Sequence, residues 1–222
     1  MPRIARVVIP KIPYHITQRG NNKQDVFSDD SDRVRYLNLI YEYTDRYKVE
    51  ILSYCLMINH IHFVMVPPKC DSLGLIFNQI SRRYALYFNK KFDRIGHLWQ
   101  DRYYSCPLDK DHLFEAIRYV ENNPVKAGYV SSPKKYFWSS AKTHINPNIV
   151  DELLADYTQY IDVIDDWEAY LNEKQNEQII SNIKMCTMNG RPSGNEMFIK
   201  ELEYKTGRLL RKKPRGRPRI KK

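Results

Sequence analysis

Apolar and polar positions change their period several times along the chain, and each change marks an element. Tyr14–Arg19 (YHITQR) alternates with a period of two and is β-branched, which predicts a strand, and the GNNKQ after it is turn chemistry. Over residues 30–47 the period becomes helical. Val34, Leu37, Ile40 and Tyr41 form a stripe there, and Ser28, Asp29 or Asp30 can cap it. Residues 49–57 and 61–66 predict two strands joined around Asn59. Residues 73–92 predict a second helix, with Leu75, Ile76, Gln79, Ile80, Arg83 and Tyr87 at helical spacing. GHLWQDRYYSCP (96–107) is a turn running into a short strand. A third helix is predicted over 109–122, closed by Asn123-Pro124, because a residue before proline is pushed out of the helical region. The order β-α-β-β-α-β-α predicts an α+β fold of the ferredoxin-like (RRM-like) kind, an antiparallel sheet with its helices on one face. Past about residue 145 the texture changes. Residues 150–177 read as one or two acidic helices, 187–195 as a loop and 196–210 as a final helix. The expected organisation is a domain over 1–145, an acidic, mainly helical extension over 146–204 and a basic tail over 205–222.

Charge sharpens that division. The net charge of +10 is unevenly spread: residues 1–150 carry +8, residues 151–204 carry −8, and residues 205–222 hold ten Lys or Arg with no acid. A basic body with a basic tail points to a polyanion, most often nucleic acid, although a solvated surface has the same composition. No apolar run reaches about 18 residues, so no membrane span is expected. The first fifteen residues lack a signal-peptide layout. Cys55, Cys70, Cys106 and Cys186 are scattered, which favours reduced structural thiols over a zinc ribbon or a disulfide frame.

Candidate chemistry sits in LMINHIHFVMVPP (56–68), where His60 and His62 flank one isoleucine. Side chains two apart on a strand share a face. The histidines therefore point one way with Val64 and Val66, while Ile61, Phe63 and Met65 point the other way, toward the helices. Two such imidazoles can hold one divalent ion if a third ligand comes from elsewhere. Taken alone, the pair reads better as two hydrogen-bonded histidines at a strand end, and it needs a partner to become a site.

The third helix bears on this choice. Leu113, Ala116, Ile117 and Val120 form its core stripe, and at 100° per residue His112, Tyr119 and Asn123 fall together on one flank. That flank offers a phenol and, one turn on, an amide oxygen. A phenol is a poor nucleophile at neutral pH, but a nearby metal can position its target. The chain has 17 tyrosines, and most of them must serve packing.

His60-Ile61-His62 resembles the histidine-hydrophobic-histidine (HUH) motif of single-strand DNA endonucleases. The wider pattern resembles the single-tyrosine HUH transposases of bacterial insertion sequences, in the branch called REP-associated tyrosine transposases. The matching stretches run in order over about residues 10–140: YHITQRGNNKQDVF, LMINHIHFVMVPP, SRRYALYFNKKFDRIGHLWQDRYYS, AIRYVENNPVKAGYV and FWSS. The resemblance implies Tyr119 as nucleophile and His60, His62 and Asn123 as ligands of Mg²⁺ or Mn²⁺. It implies a 5′-phosphotyrosine intermediate and strand cleavage and rejoining beside a single-stranded DNA hairpin. Several members carry glutamine where Asn123 stands, and Pro124 follows it directly. Neutral histidines are needed for the metal, so activity is expected to fall below about pH 6. A bacterial, cytoplasmic, nucleoid-associated protein is expected, as a monomer or homodimer.

Stacking and charge hold single strands. Arg19, Arg82, Arg83, Trp99, Arg102, Tyr103 and Tyr104 are the candidate contacts. In the tail, Arg215-Gly216-Arg217-Pro218 resembles the AT-hook, an extended Arg-Gly-Arg core that enters the minor groove of A·T-rich duplex. A nonspecific phosphate tether is the competing reading. His112 reads as a cap-region residue rather than a general base. The acidic extension could cover the basic face and restrain cutting. Two other function classes fit parts of the pattern: a non-cleaving DNA- or RNA-binding regulator, and a metal-dependent hydrolase that uses water as its nucleophile.

Overall fold

The computed structural model describes residues 6–160 and 164–211. Four strands, β1 (Tyr14–Arg19), β2 (Glu50–Met57), β3 (His60–Val66) and β4 (Tyr104–Pro107), form one antiparallel sheet in the order β2-β3-β1-β4. The first three helices are α1 (Asp30–Tyr47), α2 (Ser72–Lys91) and α3 (Lys110–Lys126). After them come α4 (Ala141–Ile145), α5 (Trp167–Asn172), α6 (Glu177–Asn189) and α7 (Glu196–Thr206). This is the α+β, ferredoxin-like arrangement expected from the element order. Among the described residues no helix is long and apolar enough to cross a membrane.

Alternation along the strands builds two cores. Tyr14 and Ile16 of β1 and Ile61, Phe63 and Met65 of β3 pack against Tyr36, Leu39 and Ile40 of α1 and Ile76, Phe77 and Ile80 of α2. The opposite face carries Val64 and Val66, and it packs against Leu113, Ala116, Ile117 and Val120 of α3. The expectation that the helices share one face therefore holds for α1 and α2 but not for α3. The stripe of α3 needs an apolar partner surface. Since α1 and α2 already fill one face, Leu52, Met57, Val64 and Cys106 supply it on the other. Trp167 and Leu171 of α5 and Ile180, Ile183 and Cys186 of α6 belong to the same cluster, so the extension is packed onto the second face.

Several local features depart from the expected boundaries. Asp29 caps α1 in a reciprocal capping box with Asp32, and Asp109 caps α3 by accepting from His112 N at 2.9 Å. His112 Nδ1 lies 2.7 Å from the same carboxylate, in the cap role read for it. Pro124 does not end α3. The helix runs through it to Lys126, with the proline buried and Ala127 N donating to the Asn123 carbonyl at 2.9 Å. The acidic segment is less helical than expected: among its described residues between 150 and 172, only α5 is formed. Asp151 accepts from Leu153 N at 3.1 Å and Asp156 from Thr158 N at 2.8 Å, local bonds that compete with helix formation. None of the four cysteines is in a disulfide; Cys70 is exposed and the others are buried.

A buried carboxylate ties α3 to the elements that follow it. Glu121 Oε1 lies 2.6 Å from His144 Nδ1 of α4 and accepts from Ser140 Oγ at 2.5 Å, while Oε2 accepts from Trp167 Nε1 of α5 at 2.9 Å. One side chain thus fixes α4 and α5 against the helix that carries Tyr119 and Asn123.

Candidate active site

The strand register sets the histidines. Arg19 pairs with His60 and Thr17 with His62 across β1 and β3, so the ends of the two central strands present both imidazoles beside Arg19. Gly20 lets the chain turn immediately after Arg19: a Cβ there would sit 2.2 Å from the Gln24 carbonyl oxygen. The His60 and His62 rings lie 5.0 Å apart between centroids and nearly perpendicular. Helix α3 crosses the same face, and the Tyr119 ring stands edge-on to His62 with centroids 5.4 Å apart. One turn on, Asn123 Nδ2 donates to the Tyr119 carbonyl at 2.8 Å, which leaves its Oδ1 free to ligate.

These residues line one cavity of about 500 Å³, with His15, Thr17, Arg19, Met57 and Gln100 from the sheet side. Lys126 of α3 and Lys184, Thr187 and Met188 of α6 close it. The histidine face was expected to be open. It is instead roofed by α3 and α6, and His62 is only 4% exposed. No Asp or Glu is among the described lining residues, whereas Arg19, Lys126 and Lys184 are. Lys184 Nζ lies 5.1 Å and Lys126 Nζ 5.8 Å from the Tyr119 ring centroid. A cleft of this charge favours an anion such as a phosphodiester.

A hydrogen-bond chain orients His62. Thr187 Oγ1 donates to the Ile183 carbonyl at 2.7 Å, so it accepts from His15 Nδ1 at 2.8 Å. His15 Nε2 then accepts from His62 Nδ1 at 3.0 Å, which leaves the lone pair of His62 on Nε2. Likewise His60 Nδ1 donates to Asn59 Oδ1 at 2.6 Å, leaving its Nε2 free to ligate. Burial, helped by the charge of Arg19, pushes His60 down to about 4. Burial takes His15 to about 3 and holds His62 well below its ordinary value, with the charges of His60, His15, Arg19 and Lys184 adding to the latter. All three imidazoles are therefore neutral at pH 7. Burial raises the Tyr119 phenol, while a hydrogen bond from Asn123 and the charge of Arg19 act the other way. Two neutral imidazoles with free Nε2 atoms and one amide oxygen suit a hard or borderline divalent cation. Among the described residues there is no cluster of three or more His, Cys, Asp or Glu that could hold a metal. Asn123 is thus the residue that would complete the set.

A family model described as "Transposase IS200 like" matches residues 8–123, just over half of the chain. The chain belongs to the IS200-like transposase family. The match takes in His60, His62, Tyr119 and Asn123 and stops there, before α6. This transposase is also 29% identical over 136 residues to a Haemophilus influenzae Rd protein named as a candidate REP-associated tyrosine transposase, covering 55% of the chain and 76% of the relative. Among solved structures, it resembles the REP-associated tyrosine transposase bound to a REP hairpin. That likeness has a TM-score of 0.53 at 19% identity and covers 74% of this chain and 99% of the other, so it bears on the fold alone. A candidate transposase from Deinococcus radiodurans aligns at 17% identity with a TM-score of 0.39, over 55% of this chain and 97% of the other.

The DNA-contact candidates divide. Arg19 lines the tyrosine cavity, and so does half-buried Tyr104. Arg82, Trp99 and Arg102 line a second cavity of about 830 Å³ between α2 and residues 96–103, and Gln100 lines both. Trp99 is 8% exposed, donates to the Ser81 carbonyl at 3.2 Å and packs on Tyr36 and Tyr84, which leaves little ring face for a base. Tyr103 is buried beneath the Arg6 guanidinium. Arg83 faces neither cavity. It pairs with Glu42 at 2.7 Å and donates to Tyr43 Oη at 2.9 Å, joining α2 to α1. Arg215, Gly216, Arg217 and Pro218 lie outside the described residues. Sequence reasoning missed His15, Lys126, Lys184 and Thr187. Alternation in YHITQR did place His15 on the face of Thr17 and Arg19, a signal that could have found it.

Proposed function

We propose that this transposase cleaves and rejoins single-stranded DNA beside a hairpin, as a REP-associated-type enzyme, through a 5′-phosphotyrosine at Tyr119. The observation that supports this reading is the meeting of Tyr119, His60, His62 and Asn123 in one cationic cavity with no carboxylate among its described lining residues. The relative bound to a REP hairpin supports the choice of substrate. Arg19 and Lys126 draw the scissile phosphate toward the phenol. The Tyr119 oxygen attacks phosphorus and its phenolic proton passes to solvent, while the bond to the 3′ oxygen breaks and that oxygen takes a proton from solvent to leave as a 3′-hydroxyl. Because the ester is retained on Tyr119, a 3′-hydroxyl can later attack it and release the phenol, joining strands without ATP. His60, His62 and Asn123 would hold Mg²⁺ or Mn²⁺, which when bound offsets the charge that develops on the non-bridging phosphate oxygens. His15 and Asn59 keep the two imidazoles turned for that role. Arg82 and Arg102 offer the flanking strand a continuous path past Gln100, and the Arg-Gly-Arg-Pro tail would tether A·T-rich duplex nearby.

Labelled single-stranded DNA with an imperfect palindrome tests this reading. With Mn²⁺ it should be cut beside the hairpin and yield a denaturant-stable protein–DNA species, and Tyr119→Phe should abolish both. Cutting that survives Tyr119→Phe would instead point to a water nucleophile, and tight binding without cutting to a regulator.

A further inference from the structure

Helix α6 lies wholly outside the span that the family model matches, yet it forms one wall of the tyrosine cavity. The wall is anchored. Ile180, Ile183 and Thr187 are almost fully buried, and Thr187 bonds to His15 across the floor of the site. Lys184 lies three residues before Thr187, on the same face of the helix. It is an exposed side chain whose ammonium sits 5.1 Å from the centre of the Tyr119 ring.

Lys126 approaches the same ring from α3. Two ammonium groups on one phenol repel each other. Lys126 is held below its ordinary pKa, chiefly by burial and further by the charge of Lys184, despite a long contact of 3.8 Å to Glu177. No carboxylate in the described lining neutralises the pair. Two cations on one phenol, offset in part by the long contact from Lys126 to Glu177, favour an anion between them. A phosphate reaching Tyr119 would enter between them.

We propose that Lys184 is a substrate-phosphate-binding residue of the active site, supplied by the C-terminal extension rather than by the segment that defines the family. The inference rests on the Tyr119 reading above. Lys184 contacts a non-bridging oxygen of the DNA strand at or next to the scissile phosphate. Its charge also favours the phenolate that leaves when strands rejoin. The extension is then a working part of the site and not only a cover over it.

The test uses the full chain in a Tyr119→Phe background, so that binding is measured without cutting. Affinity for a hairpin-bearing single strand is followed by fluorescence anisotropy over a range of KCl concentrations. Lys184→Met should flatten the slope of log K against log salt by about 0.7, the loss of one single-strand phosphate contact, and Lys184→Arg should restore it. Lys200→Met, on exposed α7, should leave the slope unchanged. With Tyr119 present, Lys184→Met should slow adduct formation by about tenfold or more, the change expected for losing one positioned donor. An unchanged slope and adduct rate in a Lys184→Met protein of native melting temperature would overturn the proposal. So would equal flattening by Lys200→Met. If the unaltered chain forms no adduct at all, the Tyr119 reading fails, while the salt slope still reports separately on Lys184.

Discussion

His62 Nδ1 donates to His15 Nε2 across 3.0 Å, and both rings are almost fully buried. This bond makes His15, a residue of the first strand, the partner that turns His62 toward Tyr119. His15→Phe keeps a ring in place but removes both of its hydrogen bonds. Losing such an outer partner typically weakens metal binding by about 10–100-fold. The expected result is Mn²⁺ affinity reduced within that range by titration calorimetry, in a protein that remains folded. Equal affinity in the folded variant would remove His15 from the site.

The histidines also set a pH window. His60 and His15 titrate lower in the folded chain, at about 4 and about 3, than the ordinary value of about 6.5 that applies when unfolded. As the pH falls below 6.5 the unfolded chain binds protons first, so stability is lost progressively toward pH 4. The same shift keeps His60 neutral at pH 5, below the limit near pH 6 expected from an unperturbed imidazole. Imidazole carbon-bound proton shifts in metal-free protein should give His60 a midpoint near 4. A midpoint near 6.5 would contradict the buried, Arg19-facing geometry.

Asn123 joins the cavity even though Pro124 follows it, because α3 continues through the proline and keeps the one-turn spacing from Tyr119. Asn123→Ala should weaken Mn²⁺ binding by about tenfold or more, whereas Asn123→Asp, which keeps the oxygen and adds charge, should retain it. Alanine without effect on Mn²⁺ affinity would leave the two histidines lacking a protein ligand from α3.

Glu121 supports the site from beneath. Removing its carboxylate in Glu121→Ala strands His144 Nδ1 and Trp167 Nε1 in the buried cluster, while Ser140 keeps its bonds to Ser53 and Tyr54. Unpaired buried polar groups cost about 1–3 kcal/mol each, so a loss of roughly 2 kcal/mol or more is expected in urea unfolding. A loss below about 1 kcal/mol would mean that the surrounding helices are not held by this carboxylate.

Much of this architecture could be read from local patterns. Alternation separated His60 and His62 from Ile61, Phe63 and Met65, and the stripe of α3 put Tyr119 and Asn123 on one flank. Both readings depend only on the geometry of a single element. What escaped was tertiary. The stripe of α3 does not say which face of the sheet it will cover, so the roof over His62 was not foreseen. His15 becomes a partner of His62 only once β1 pairs beside β3. Lys184 and Thr187 reach Tyr119 and His15 from more than 60 residues away, and nothing in α6 itself names the strand it packs on. Pro124 misled because a residue before proline marks a helix end only as a preference, and α3 carries its proline inside the last turn.

The central claim is that Tyr119 is the nucleophile. Its most direct test is mass spectrometry of the denatured product formed with hairpin-bearing single-stranded DNA and Mn²⁺. After trypsin and nuclease digestion, the nucleotide mass should reside on the peptide spanning residues 119–126, at Tyr119. Nucleotide mass on a different tyrosine, or cleaved DNA with no covalent peptide, would contradict the account.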